Sequence, residues 1–199
     1  MSGPVPERGR PDGDTGGPQP SRRPRRRGPE GAVQVFGADE QSEQPVEVDR
    51  WVRLAHDVLL AEGVEGESEL SLLFVDEAAM AELNQQFMEK SGPTDVLAFP
   101  IDDSGPIGRW PDAGTTGPDR AEPEGEDLPL LLGDVVVCPS VAARQAPEHA
   151  GTFEDEVALL VVHGVLHVLG HDHAEDEEAE RMQARERELL DRFHHQRSS

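Results

Sequence analysis

Four of the eight histidines of this 199-residue chain, His163, His167, His171 and His173, fall within residues 158–174, ALLVVHGVLHVLGHDHA. His163 and His167 are four positions apart. On an α-helix that spacing puts two imidazoles on one face, a turn apart and close enough to share an ion. Gly170 predicts the end of the helix, since glycine enters the left-handed conformation at little cost. Beyond the turn His173 can swing back toward the same point. A lone buried histidine is ordinarily a hydrogen-bonded core residue. Three neutral imidazoles converging beside an open fourth position form the ligand set of a catalytic zinc site. One Zn2+ ion on His163, His167 and His173 is therefore expected, although imidazole ligands also suit nickel, copper or iron. His171 is assigned to the pocket wall, because neighbouring side chains in an extended turn point apart. Asp172 is a candidate acceptor for orienting a ligand ring.

The arrangement His-x-x-x-His-x-x-Gly-x-x-His shares the spacing of the extended metzincin motif. In HExxH peptidases the residue after the first histidine is the glutamate that serves as general base; here it is Gly164. A peptidase using that base is disfavoured. A water activated by the ion, or a ribose hydroxyl attacking a phosphate that the ion polarises, can instead cleave a phosphodiester. No residue declares itself as the base, and Asp95 and Asp172 are the candidates.

The helix bearing these histidines is apolar nearly all round from Val157 to Leu169, which predicts a helix buried at the domain centre. Thr152-Phe153-Glu154-Asp155 matches a capping box at its start, with Glu156 adding a third acid to the first turn. Upstream, residues 32–37 (AVQVFG) and 69–75 (ELSLLFV) read as strands. Asp49 is a candidate cap for a helix whose Trp51, Leu54, Ala55, Val58 and Leu59 recur at helical spacing until Gly63. Asp76 begins another helix with Met80, Leu83 and Phe87 on one face. Residues 95–99 and 130–138 read as a strand pair separated by a long loop, with Pro100 expected to break the ladder. Pro139 and Ser140 open a short helix with Val141, Ala142 and Ala146 inward. The last helix, about 174–195, is charged, with a narrow stripe of Ala179, Met182, Leu189 and Phe193. Glu177 with Arg181 and Glu188 with Arg192 are i,i+4 pairs. His194 and His195 fall at its end, where an exposed pair is more often inert than metal-bound.

The expected organisation is a Pro-, Gly- and Arg-rich disordered tail over residues 1–31, a single domain over 32–199, and a flexible loop over 102–129. Arg22, Arg23, Arg25, Arg26 and Arg27 read either as an RNA-binding arm or as a low-complexity extension. Without neighbouring aromatic residues the extension is preferred. The net charge is −23, which argues against a general nucleic-acid binder while allowing a local basic or metal-containing patch. No apolar run spans eighteen residues, so no membrane partner is expected. The arginine-rich start does not read as a secretory signal. Cys138, the only cysteine, forms no internal disulfide, and a cytoplasmic location follows as an expectation.

HGVLHVLGHDH, preceded by GPTDVLAFP and LGDVVVCP in that order, resembles the YbeY family of bacterial rRNA maturation factors and single-strand-specific endoribonucleases, from about residue 32 to the end. The resemblance implies an α+β fold, a small mixed sheet of about four strands flanked by helices, with zinc in a cleft on His163, His167 and His173. It also implies a role in 16S rRNA 3′-end maturation and ribosome quality control. The partners implied are an rRNA precursor and the ribosomal small subunit or its assembly proteins. Two positions depart from many members: Met88 aligns with an arginine proposed to contact RNA, with Lys90 nearby, and His171 stands for a tyrosine. The rival readings are a metallohydrolase of another class, such as a peptidase, and a non-enzymatic assembly factor with a structural metal. For an acidic protein acting on RNA, positive potential is expected to be confined to the metal cleft, with protein partners supplying much of the targeting.

Overall fold

Period-two burial marks the strands in the computed structural model, which describes residues 26–27, 33–101, 129–171 and 175–195. Strand β1 is Arg26–Arg27, β2 Val33–Asp39, β3 Ser68–Phe74, β4 Val96–Pro100 and β5 Leu130–Val137. In β3, Leu70, Leu72 and Phe74 are buried while the residues between them are partly open, as expected of a strand with one face in a core. Among the described residues these strands form one sheet in the order β1-β2-β3-β5-β4. β2, β3 and β5 run parallel; β1 and β4 pair antiparallel at the two edges. The fold is α+β with a small mixed sheet flanked by helices, as the sequence predicts. β1 falls within the stretch read as a tail; the rest of residues 1–31, and 102–128 of the expected loop, lie outside the described residues.

Pro100 does not end the ladder early: it closes β4, paired opposite Gly133. On its other side β5 carries a bulge, since Glu69 pairs with Leu131 but Leu70 with Gly133, leaving Leu132 over. Gly133 has φ 149°, and a Cβ there would lie 2.3 Å from the Phe99 carbonyl oxygen. Only glycine suits so close an approach.

Helices cover both faces. On one lie α1 (Val48–Ala61), α4 (Phe153–Val168) and α5 (Asp176–Phe193). Trp51, Leu59, Val161, Leu166, Met182 and Leu189 from these helices pack with Leu70, Leu72, Val135 and Val137 of the sheet. On the other face α2 (Glu77–Met88) and α3 (Pro139–Gln145) bring Met80 and Val141 against Leu97, Phe99 and Val136. Cys138 lies in this second core, where burial pushes its thiol pKa up.

Two local expectations change. Asp49 is not the cap of α1: the helix starts at Val48 behind Glu47, whose side chain makes no capping bond, and Asp49 sits in the first turn, where its charge favours the helix dipole. The ion pairs of α5 are also redistributed. Arg185 reaches across to Glu62 at 2.7 Å and gives a second N–H to Glu188 at 2.6 Å. Arg181 instead donates to the Glu177 carbonyl, and Arg192 lies over the Phe193 ring. The inter-helix partner wins because Glu62 is largely desolvated and the exposed i,i+4 pairs are worth little.

α4 is the element that positions the site. The Thr152 hydroxyl accepts from the Asp155 amide and donates to the Asp155 carboxylate. At the other end Gly170, φ 88°, ends the helix; its N–H donates to the His167 carbonyl and that of His171 to the Leu166 carbonyl. This is a Schellman closure. Midway, Gly164 faces the sheet: a Cβ there would lie 2.5 Å from Val135 Cγ1 and 3.4 Å from Val96 Cγ2. Val135 is β-branched, fully buried and unable to yield. Gly164→Ala is therefore expected to lower stability in denaturant titration by about 1–3 kcal/mol through overpacking. Val135→Ala in the same chain should recover part of that loss; simple additivity of the two substitutions would refute a direct clash.

Candidate functional site

His163 and His167 leave α4 on the side next to Gly164. Their Nε2 atoms face each other at 3.1 Å, with ring centroids 4.5 Å apart and planes at 75°. Two imidazole nitrogens on one tetrahedral ion at about 2.0–2.1 Å would stand roughly 3.3 Å apart, so the donor pair fits a shared ion. Behind them, His163 Nδ1 lies 2.7 Å from Glu186 Oε1 of α5. A carboxylate accepting the Nδ1 proton leaves the Nε2 lone pair toward His167. His173 and Asp172 lie outside the described residues.

The pair opens on a cleft of about 600 Å³ lined by Asn84, Met88, Lys90, Thr94, Leu97, Ala98, Pro100, Gly164 and His171 among others. It runs along strand β4 and the turn before it. The Asn84 amide donates to the Gly92 carbonyl at 2.8 Å, which fixes that turn. His171 lines the cleft as a wall residue, its Nε2 3.3 Å from Glu62 Oε2. Glu62 also takes Arg185, which donates in addition to the Ala61 carbonyl. One carboxylate thereby joins the end of α1, the turn after α4 and α5.

Asp95 lies elsewhere. It lines a second cavity of about 680 Å³ together with His149, Leu160, His163, Met182 and Glu186. The two cavities share His163 and Val96, and Glu186 places the second one on the Nδ1 side of the ring. Asp95 Oδ1 accepts from the Thr94 hydroxyl and the Val96 amide. In the same cavity wall His149 Nδ1 sits 2.9 and 3.0 Å from the two oxygens of Glu156. Glu156 is fully buried. The Glu156 hydrogen bond holds the His149 imidazole protonated to higher pH than usual, opposed by desolvation and helped by the charges of Glu156, Asp95 and Glu186.

Sequence reasoning missed Glu186 and the Glu156–His149 pair. The signal for Glu186 was present: it sits between Met182 and Leu189 on the buried stripe of an otherwise charged helix, where a carboxylate needs a partner. The end of α5 also differs from expectation. His194 is not frayed but 5% exposed; its Nε2 lies 2.8 Å from Asp155 Oδ1 and its Nδ1 3.4 Å from Arg50. Its ring is tilted against Trp51. Asp155, His194 and His195 are the one group of three among the described residues whose ligand atoms lie within 4.8 Å of one another, a possible metal site. Their hydrogen bonds already serve as a clasp between the start of α4 and the end of α5.

A small α+β domain whose sheet carries a central helix with an imidazole pair in an open cleft is thus the class defined by fold and site. The family model described as "Endoribonuclease YbeY" matches residues 37–194. Curated relatives carrying the same description include one from Mycolicibacterium vanbaalenii, 45% identical over 157 residues, 79% of this chain and 76% of that one. Another from Rhodococcus opacus is 44% identical over 155 residues, 78% of this chain and 76% of its own. A third from Thermobifida fusca is 43% identical over 150 residues, 75% of this chain and 88% of its own. The chain belongs to the YbeY endoribonuclease family. No helix among the described residues is long and apolar enough to cross a membrane.

The Asp155 clasp has a pH signature. The Thr152 hydroxyl first, then His194, holds the Asp155 carboxyl below its ordinary value of 3.8. A depressed acid contributes stability above the unfolded value and loses it as pH falls through the folded one. Asp155→Asn is expected to be less stable than the parent at neutral pH, with the gap closing below about pH 3.8. Thermal melts across that range check it, and a gap independent of pH would remove the charge from the explanation.

Proposed function

We propose that the protein is a zinc-dependent, single-strand-specific endoribonuclease of the cytoplasm. In this reading it acts in 16S rRNA 3′-end maturation and ribosome quality control, on rRNA precursors and with the ribosomal small subunit or its assembly proteins. Family membership supports the nuclease class. The observation that carries the site is the facing Nε2 pair of His163 and His167, 3.1 Å apart and backed by Glu186. His163, His167 and His173 would hold one ion, and an all-imidazole set suits zinc. When bound, such an ion lowers the pKa of a water and stabilises charge on a phosphoryl oxygen.

The chain's own residues supply the rest. Glu186 fixes the tautomer and orientation of His163. Leu97, Ala98 and Pro100 offer an apolar wall for a sugar or base, and Lys90 a cation at the rim. Met88, 42% exposed, contributes contact surface without charge. Gly164 weighs against a peptidase in a second way: a side chain there would start inside the Val135 contact, so a glutamate base has no room. Asp172 remains a candidate for moving the proton, whereas Asp95 lies in the second cavity, with Oδ1 bonded to Thr94 and the Val96 amide.

Purified protein is expected to contain one zinc per chain and to cut a structured rRNA precursor within its single-stranded regions. His167→Ala should reduce cleavage by about 10³-fold or more; undiminished cleavage would assign the activity to a contaminant. Glu186→Gln is expected to weaken zinc binding about 10–100-fold in competition with a chromophoric chelator. Unchanged affinity would remove Glu186 from the site.

A further inference from the structure

A fully buried glutamate needs a reason. Glu156 is 0% exposed and both its carboxylate oxygens are given to a single partner, His149 Nδ1. His149 itself is 60% exposed in its side chain. The mechanism above uses neither residue. A buried carboxylate is tolerated when paired with a positive, hydrogen-bonded group, so the pair fixes an imidazolium at the protein surface. The Nδ1 edge of that ring is committed. The Nε2 edge has no partner among the described residues and remains available as a charged donor.

Its location gives it a use. His149 borders the cavity on the Nδ1 side of His163, and that cavity adjoins the cleft through His163 and Val96. In a chain of net charge −23, RNA binding depends on cations placed where phosphates pass. Met88 supplies none.

We propose that the His149–Glu156 pair is a binding site for a backbone phosphate of single-stranded RNA, the one flanking the phosphodiester held at the histidine cleft. The inference rests on the nuclease reading and deepens it. His149 Nε2–H donates to a phosphate oxygen while Glu156 keeps the ring protonated. The other charged groups facing His149 are Asp95, bonded to Thr94 and to the Val96 amide, and Glu186, bonded to His163. These two carboxylates keep an anion from the cavity floor and confine it to the exposed Nε2 edge.

The test is equilibrium binding of a 2′-O-methylated single-stranded RNA, checked to be intact after each measurement, by zinc-loaded protein near pH 6 and near pH 9. His149→Gln is expected to weaken binding about tenfold near pH 6 and to flatten the salt dependence by about 0.7 in log–log slope. Toward pH 9 the parent's advantage over His149→Gln should shrink, because rising pH draws the proton off the parent ring. His149→Lys should bind like the parent near pH 6 and keep that affinity near pH 9, because a lysine stays charged. Glu156→Gln should move the parent's loss of affinity to lower pH; if that variant fails to fold, the His149 variants still decide. Binding unchanged in His149→Gln, or weakened equally at both pH values, overturns the proposal and leaves a structural tether. Cleavage of unmodified RNA is measured in parallel. A parent that cleaves while His149→Gln binds normally refutes the phosphate site alone; a parent that neither cleaves nor binds refutes both readings.

Discussion

The closeness of α4 to the sheet is the constraint on which the site depends. Gly164 permits it: the helix rests with no side chain between its backbone and Val135 and Val96. Any larger residue would lift the helix, and the imidazoles on either side of position 164 would move with it. Interiors packed at crystal-like density transmit such displacements instead of absorbing them. The glycine therefore acts twice. It denies the position to a peptidase-type base, and it sets the distance from β4 at which His163 and His167 stand.

A helix so deeply seated must answer for every polar group it carries. α4 bears Glu156, His163 and His167 along one side at intervals of seven and four residues, close to whole numbers of helical turns. Each has a partner from a different part of the chain or from its own face: His149 for Glu156, Glu186 for His163, and His163 for His167. Unpaired, any one of them would cost about as much as a whole buried hydrogen bond or more. Paired, they form a polar seam through an apolar core. The cleft opens beside one part of that seam and the second cavity beside another.

Much of this was legible in the sequence. The helix start at Thr152, the glycine stop at 170 and the one-face placement of His163 and His167 follow from capping preferences and helical period, which are local. The strands were legible because alternation is local too. Glu186 was marked only by its place on the buried stripe of α5, and His149 not at all, because their roles come from pairings 23 and 7 residues away. The capping of α1 misled for another reason: Asp49 is a good cap by type, but the helix begins two residues earlier than that cap would allow, with partly buried Val48 packed against the core. Exposed charge pairs on α5 were equally well spaced on paper, and the choice among them was made by Glu62 on another helix. His173 and Asp172, central to the sequence argument, lie beyond what the structure describes.

The bulge at Leu132 and Gly133 gives the sheet a phase. Beyond it, Val135 and Val137 point to α4 and Val136 to α2. Because side chains alternate strictly along a strand, a slip of one residue would exchange the two faces. Val136 would then meet Gly164, and the valines that now seat the histidine helix would turn to the opposite layer. The alignment of the histidine-bearing face is thus counted out one residue at a time from the bulge in β5, opposite the Pro100 that lines the cleft. Loss or gain of a single residue in β5 would disable the site without altering any residue in it.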